Sequence, residues 1–173
     1  MSRWETGGTV EIREATKDDT PALVDIIRRS FRDVAERFGL TSENCPKHPS
    51  NCEESWIVGD MGKGVKYYVL RHESQLVGCV ALEGSEGGAC FLERLAVLPG
   101  SRKKGFGEAL VHHVLREAGR RGFTSVGIGI ISDDRELGSW YERHGFTETG
   151  TKIFRHLPFQ VTFMSRRLER RQT

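Results

Sequence analysis

In Leu95-Ala96-Val97-Leu98-Pro99-Gly100-Ser101-Arg102-Lys103-Lys104-Gly105-Phe106-Gly107-Glu108-Ala109-Leu110 a hydrophobic strand enters a basic, glycine-bearing turn and leaves as a helix. The first backbone N–H groups of such a helix have no intrahelical partner and converge with the positive end of the helix dipole, which makes an anion site. Gly105 and Gly107 let the backbone approach phosphate oxygens where a Cβ would intrude, and Arg102, Lys103 and Lys104 supply charge. The plainer alternative is a strand-to-helix turn whose glycines serve only its geometry and whose basic residues are solvated. The dinucleotide fingerprint is not met, because Leu110 stands where its third glycine belongs. No Gly-Lys-Ser or Gly-Lys-Thr follows a four-residue gap either, so a phosphate-loop nucleotide site is not met.

Upstream, Val10-Glu11-Ile12-Arg13 alternates as a short strand, and Thr16-Lys17-Asp18-Asp19 reads as a helix start. Leu23, Ile26, Ile27, Phe31, Val34 and Phe38 then recur at helical spacing until Gly39. Residues 41–50 follow no period, and Ser50-Asn51-Cys52-Glu53 caps a shorter helix carrying Trp56 and Ile57. Three strand-like runs, 65–71, 76–83 and 89–98, predict an antiparallel meander. Downstream, the spacing predicts a helix over 105–121, a central strand over 125–131, a helix over 134–144 and strands over 147–154 and 161–168.

At 173 residues the chain has the size of one domain. Charged residues make up 29% and hydrophobic ones 37%, a globular balance, and no run approaches the roughly 18 uncharged residues of a membrane span. Met1-Ser2-Arg3-Trp4-Glu5 shows no apolar leader, so a cytoplasmic setting is expected. Twenty-six basic against 24 acidic residues give a net charge of +2, so no general attraction to nucleic acid is expected, and the run Arg166 to Arg171 reads as a solvated strand end. Cys79 and Cys90 read as small buried hydrophobes. Cys45, His48 and Cys52 could give zinc two thiolates and an imidazole, but a fourth local ligand is lacking; the segment reads as a substrate-side loop, and no metal site is expected.

Arg102-Lys103-Lys104-Gly105-Phe106-Gly107 carries in full the signature of the GNAT superfamily of acetyl-CoA-dependent N-acyltransferases: Arg or Gln, two residues, Gly, one residue, then Gly or Ala. Leu95 to Pro99 is similar to the family's fourth strand and the proline after it, and Trp140 to Phe146 looks like its Tyr-x-x-x-Gly-Phe element. The resemblance spans nearly the whole chain. It implies one α/β (α+β) domain over residues 1–173, a mixed central sheet of about six to seven mostly antiparallel strands flanked by about four helices. It further implies that Leu95, Ala96 and Val97 pair with the pantetheine arm of acetyl-CoA, and that residues 102–108, Phe106 and Glu108 included, cradle the pyrophosphate. The family often has an Asn seven residues before the motif Tyr and a small residue four before it. Asp134 and Leu137 stand there, and an Asp accepts a hydrogen bond without donating the amide one.

Acyl transfer from a thioester to an amine requires a neutral amine, stabilisation of an oxyanion and a proton for the departing thiolate. The resemblance puts the acid at Tyr141, whose other reading is a helix face packed on the sheet. Glu93 is the candidate base, since alternation aims it at the same sheet face as Leu95 and Val97; it could equally be a rim carboxylate that holds a cationic amine. A backbone N–H in Leu95 to Val97 could polarise the carbonyl. The family usually proceeds by direct attack in a ternary complex, and its first helices and their loop often wall the acceptor pocket, which assigns specificity to Phe31, Phe38, His48 and Trp56. The aromatic loop Phe154 to Phe159 either closes the other side of the pocket or contacts a second copy. The expectation is an N-acetyltransferase acting on an amine acceptor, with a homodimer as its assembly. The competing reading is an acyl-CoA-binding regulatory module without turnover.

Overall fold

A computed structural model of the chain describes residues 8–170. The order is β1 (Val10–Glu14), α1 (Thr20–Arg37), α2 (Glu54–Gly62), β2 (Lys66–His72), β3 (Gln75–Gly84), β4 (Ala89–Val97), α3 (Phe106–Arg120), β5 (Ser125–Ile131), α4 (Arg135–Arg143), β6 (Thr147–Ile153) and β7 (Gln160–Arg167), with short 3-10 turns between. The seven strands form one sheet in the order β1-β2-β3-β4-β5-β7-β6. All neighbours are antiparallel except β4 and β5.

Every predicted element is present, with ends shifted by one to a few residues. The entry to α1 is built by a capping box: Asp19 accepts from the Thr16 N–H at 2.8 Å while Arg13 grips the same carboxylate at 2.8 and 2.9 Å. The Arg13 hydrogen bond draws the Asp19 carboxyl down to about 2, against the opposing effect of burial and with help from the Thr16 N–H. Gly39, at φ 64°, ends the run.

The sheet is covered on both faces, which explains the unbroken apolar runs of β2 and β3. On one face α3 buries Phe106, Leu110, Val111, Val114 and Ala118 against Tyr68, Leu82, Leu92 and Val126. On the other, α1 and α2 place Leu23, Ile26, Ile27 and Ile57 against Tyr67, Val69, Cys79 and Ala96. A third, small cluster joins Ala35, Leu40 and Cys45 to Phe38, Ile131 and Phe159.

Candidate active site

The site is made by a break in the sheet. Strands β4 and β5 pair only from Ala89–Ser125 to Phe91–Gly127 and then part. Gly127 makes room at the last rung, because a Cβ there would meet the Phe91 ring at 3.1 Å. Beyond it the edge of β4 that faces β5 has no strand partner, and a cleft of about 660 Å³ opens between Leu92–Leu95 and Ile128–Ile131. An extended ligand can pair with such an edge.

A β-bulge shapes the same stretch of β4. Cys79 pairs with Ala96 and Ala81 with Glu93, so β4 carries one residue more than β3, and Arg94 sits at φ 50°. The bulge is held from α2 and β2: Arg94 donates to Asp60 at 2.7 Å and to the Tyr67 hydroxyl, which itself donates to Asp60 at 2.6 Å. Its consequence corrects the sequence reading. Glu93, opposite Ala81, faces the α1 side, whereas Leu95 and Val97 pack toward α3, so these three do not share a face.

Glu93 and Tyr141 nevertheless line the same cleft. Glu93 is open to it and reachable by solvent. Partial desolvation by the cleft walls, followed by the nearby Glu83, pushes its carboxyl up to about 7. Glu83 lines the cleft as well and was not singled out from the sequence; the parity of β3 across the hairpin, through Ala81, carries that signal. Tyr141 enters from α4 and is 5% exposed, its ring against Phe146 at 5.3 Å and Trp140 at 5.0 Å. Burial raises its phenol well above the usual range, so it keeps its proton at neutral pH. Both readings of Tyr141 thus coincide, since it packs on the sheet and borders the cleft.

Asp134 and Leu137 also line the cleft. Asp134 caps α4 by accepting from the Leu137 N–H at 3.2 Å, and Arg37 of α1 reaches across to its other oxygen at 2.8 Å. Among the predicted wall residues, Phe31, His48 and Phe159 reach the cleft, while Phe38 packs in the third cluster and Trp56 against Lys47 and Arg94. His48 bonds Ser50 at 2.7 Å, and its burial lowers its pKa. Cys45 and Cys52 are free thiols in different apolar clusters, so the Cys45, His48, Cys52 segment brings no ligand set together.

At the base of the cleft's strand edge, Gly105 caps α3 in the left-handed conformation at φ 83°, and Lys103 sits at φ 62°. The N–H groups of residues 103–108 have no protein acceptor among the described residues, and the first bond of the helix runs from Ala109 to Gly105 at 3.0 Å. Phe106 anchors the turn in the core. Arg102 is a strut, because its guanidinium donates to the Ser30 carbonyl at 2.7 Å and pairs with Asp33 at 2.9 Å. Lys103 and Lys104 remain exposed on the loop. In the basic run at the end of β7, Arg166 donates to the His144 carbonyl at 2.6 Å, and Arg171 lies outside the described residues, as does the Met1 to Glu5 segment.

The family model described as an acetyltransferase (GNAT) domain matches residues 63–148. An uncharacterized N-acetyltransferase of Escherichia coli K12, YjgM, is 29% identical over 139 residues, covering 78% of this chain and 80% of that protein. Among solved structures, the ribosomal-protein-S18-alanine N-acetyltransferase of Escherichia coli aligns with a TM-score of 0.75 at 17% identity, covering 95% of this chain and 97% of that one. The PaiA N-acetyltransferase of Thermoplasma acidophilum, solved with coenzyme A, aligns with a TM-score of 0.73 at 18% identity, covering 92% and 99%. These two establish likeness of fold.

Proposed function

This chain belongs to the GNAT superfamily of N-acetyltransferases, and from that premise we propose that it moves an acetyl group from acetyl-CoA to a primary amine that enters between α1 and the Glu83–Glu93 side of the cleft. The observation that carries the proposal is the meeting of a carboxylate, a buried phenol and an unpaired strand edge in one cleft. Bound acetyl-CoA supplies the activated acyl group; the ammonium first gives up one proton, and then a C–N bond forms as the C–S bond breaks, with the nitrogen losing a second proton as the thiolate gains one. The N–H groups of residues 103–108 hold the pyrophosphate, with Lys103 and Lys104 at its rim. The free edge of β4 at Leu95 to Val97 pairs with the pantetheine arm, and a backbone N–H of that edge faces the developing oxyanion. Glu93, with its carboxyl raised toward neutrality, takes the proton of the ammonium, directly or through a water. Tyr141 keeps its proton and gives it to the leaving sulfur.

Glu83 and Glu93 favour an acceptor that arrives as a cation, and the rings of Phe31, Phe91 and Phe159 favour one with an apolar body. The binding-only reading is not favoured. The proposal includes a cytoplasmic setting, in keeping with four free thiols, and one domain over residues 1–173. It also includes pairing of two copies along the edge strand β6, every residue of which is exposed. No helix among the described residues is long and apolar enough to cross a membrane.

The test is release of CoA thiol from acetyl-CoA with a panel of mono-, di- and polyamines and amino-acid amides. Turnover with cationic amines, lost in Glu93→Gln and Tyr141→Phe, supports the assignment. Stabilisation by acetyl-CoA with no thiol release for any amine refutes it.

A further inference from the structure

Outside the cleft, three donor side chains meet on the surface between α3 and α4. Glu108 and His112 are four residues apart on α3 and so share a helix face, and His144 caps the C-terminus of α4 beside them. One ligand atom of each lies within 4.8 Å of the other two, and this is the one such group of His, Cys, Asp and Glu among the described residues. The His112 and His144 rings meet edge to face with centroids 5.9 Å apart. His144 packs on the Trp140 ring at 4.4 Å and is held through its carbonyl by Arg166. His112 is exposed, and Glu108 and His144 are half-buried, so the group is preformed on one side and open to solution on the other.

We propose that Glu108, His112 and His144 bind one zinc-class divalent ion, with water in the remaining position. Two imidazoles and a carboxylate suit zinc, and its bond lengths place ligand atoms roughly 3.3 Å apart, which the group reaches by rotamer adjustments of the exposed His112 and the half-buried Glu108. The hard cations magnesium and calcium take oxygen sets and are not accommodated by two imidazoles. No local spacing in the sequence marks this group, because His144 lies 32 residues beyond His112. The proposal leaves the anion cradle intact, since there the backbone N–H of Glu108 is used and here its carboxylate is. An occupied site would replace the carboxylate's negative charge in the first turn of α3 with a net positive one, next to where an anion is held.

The full chain, stripped with a chelator and dialysed, is titrated with Zn²⁺ against a chromophoric competitor, and with Co²⁺ while its visible spectrum is recorded; Mg²⁺ is the control. Wild type, His112→Ala and His144→Ala are compared after their thermal unfolding has been checked. The expected result is one equivalent bound by wild type, a loss of at least about 100-fold in affinity in both variants, cobalt d–d bands without thiolate charge transfer, and no response to Mg²⁺. Because His112 is exposed, His112→Ala decides the matter even if His144→Ala fails to fold. No Zn²⁺ binding by wild type, unchanged affinity in His112→Ala, or a thiolate band that assigns the metal to cysteines would overturn the proposal.

Discussion

Arg94 reaches from the bulge of β4 to Asp60 on α2, Nη1 to Oδ2 at 2.7 Å, so the irregularity that turns Glu93 toward α1 is fastened from outside the strand. Both side chains are about three-quarters buried, and removing one partner leaves the other charge poorly solvated. Asp60→Ala is expected to cost about 3 kcal/mol in chemical denaturation, the low end for a buried pair because both side chains keep some solvent contact. Where the variant is still folded, turnover should fall while the stabilisation by acetyl-CoA is retained. An unchanged rate would mean that the bulge does not depend on this fastening.

Glu93 gives a pH dependence with a definite sign. A base whose carboxyl sits near 7 must lose its proton to act, so the rate should rise with pH through about 7, and whatever residual rate Glu93→Gln retains should lack that limb. Stability should move the opposite way. The folded-state pKa is raised above the unfolded one, so the group favours folding in its protonated form and that advantage is lost as pH rises from about 4.5 through about 7. Glu93→Gln should therefore melt higher than wild type at pH 8 and equal it at pH 4. A variant less stable than wild type at pH 8 would contradict the assigned environment.

Tyr141→Phe removes only an oxygen that has no protein hydrogen-bond partner among the described residues, while the packing on Phe146 and Trp140 remains. Stability should change by less than about 0.5 kcal/mol, and turnover should fall roughly 100-fold or more at unchanged acetyl-CoA affinity. Steady-state kinetics and a thermal shift with acetyl-CoA separate the two.

Gly107 tests the cradle without breaking it. A Cβ there would lie 3.6 Å from the Trp140 ring, an ordinary contact, so a side chain is tolerated. Gly107→Glu places a carboxylate among N–H groups that await an anion. Acetyl-CoA at about 100 times its wild-type dissociation constant should stabilise wild type by roughly 2.7 kcal/mol and leave the variant unmoved.

Asp134 has two jobs that substitutions can divide. Asp134→Asn keeps the cap on the Leu137 N–H and weakens the pair with Arg37, a half-exposed partner, at a cost below about 1 kcal/mol; Asp134→Ala loses both, at a cost of about 1–2 kcal/mol. A double-mutant cycle with Arg37→Ala measures the coupling, and a value of zero would show that the contact is incidental.

Most of the architecture was readable from the sequence because each element has its own period: the alternation at Val10 to Arg13, the helical spacing from Leu23 to Phe38, and the glycine-bearing start of α3. The cleft was readable in its members and not in its geometry. One extra residue at Arg94 reverses the facing of Glu93 relative to Leu95 while leaving the local pattern of residue types unmarked. Arg102 reads as a phosphate ligand in its own segment, and only α1, 69 residues away, shows that Asp33 holds it. Glu83, Arg37 and the His144 partner of Glu108 were silent for the same reason, since their meaning comes from contacts between distant parts of the chain.

The parting of β4 from β5 has a mechanical meaning. The sheet is two plates, β1 to β4 and β5 to β7, hinged on three rungs that end at Phe91 and Gly127. Helix α3 bridges the two plates on one face, and on the other, at the opposite end of the gap, they meet again through the small cluster of Ala35, Leu40, Cys45 and Ile131 and the Arg37–Asp134 pair. The gap thus has a pivot at one end and a clasp at the other. Three backbone rungs make a firmer fastening than one half-exposed ion pair and a small apolar contact, so beside the gap the slowest-exchanging amides should lie on the pivot side.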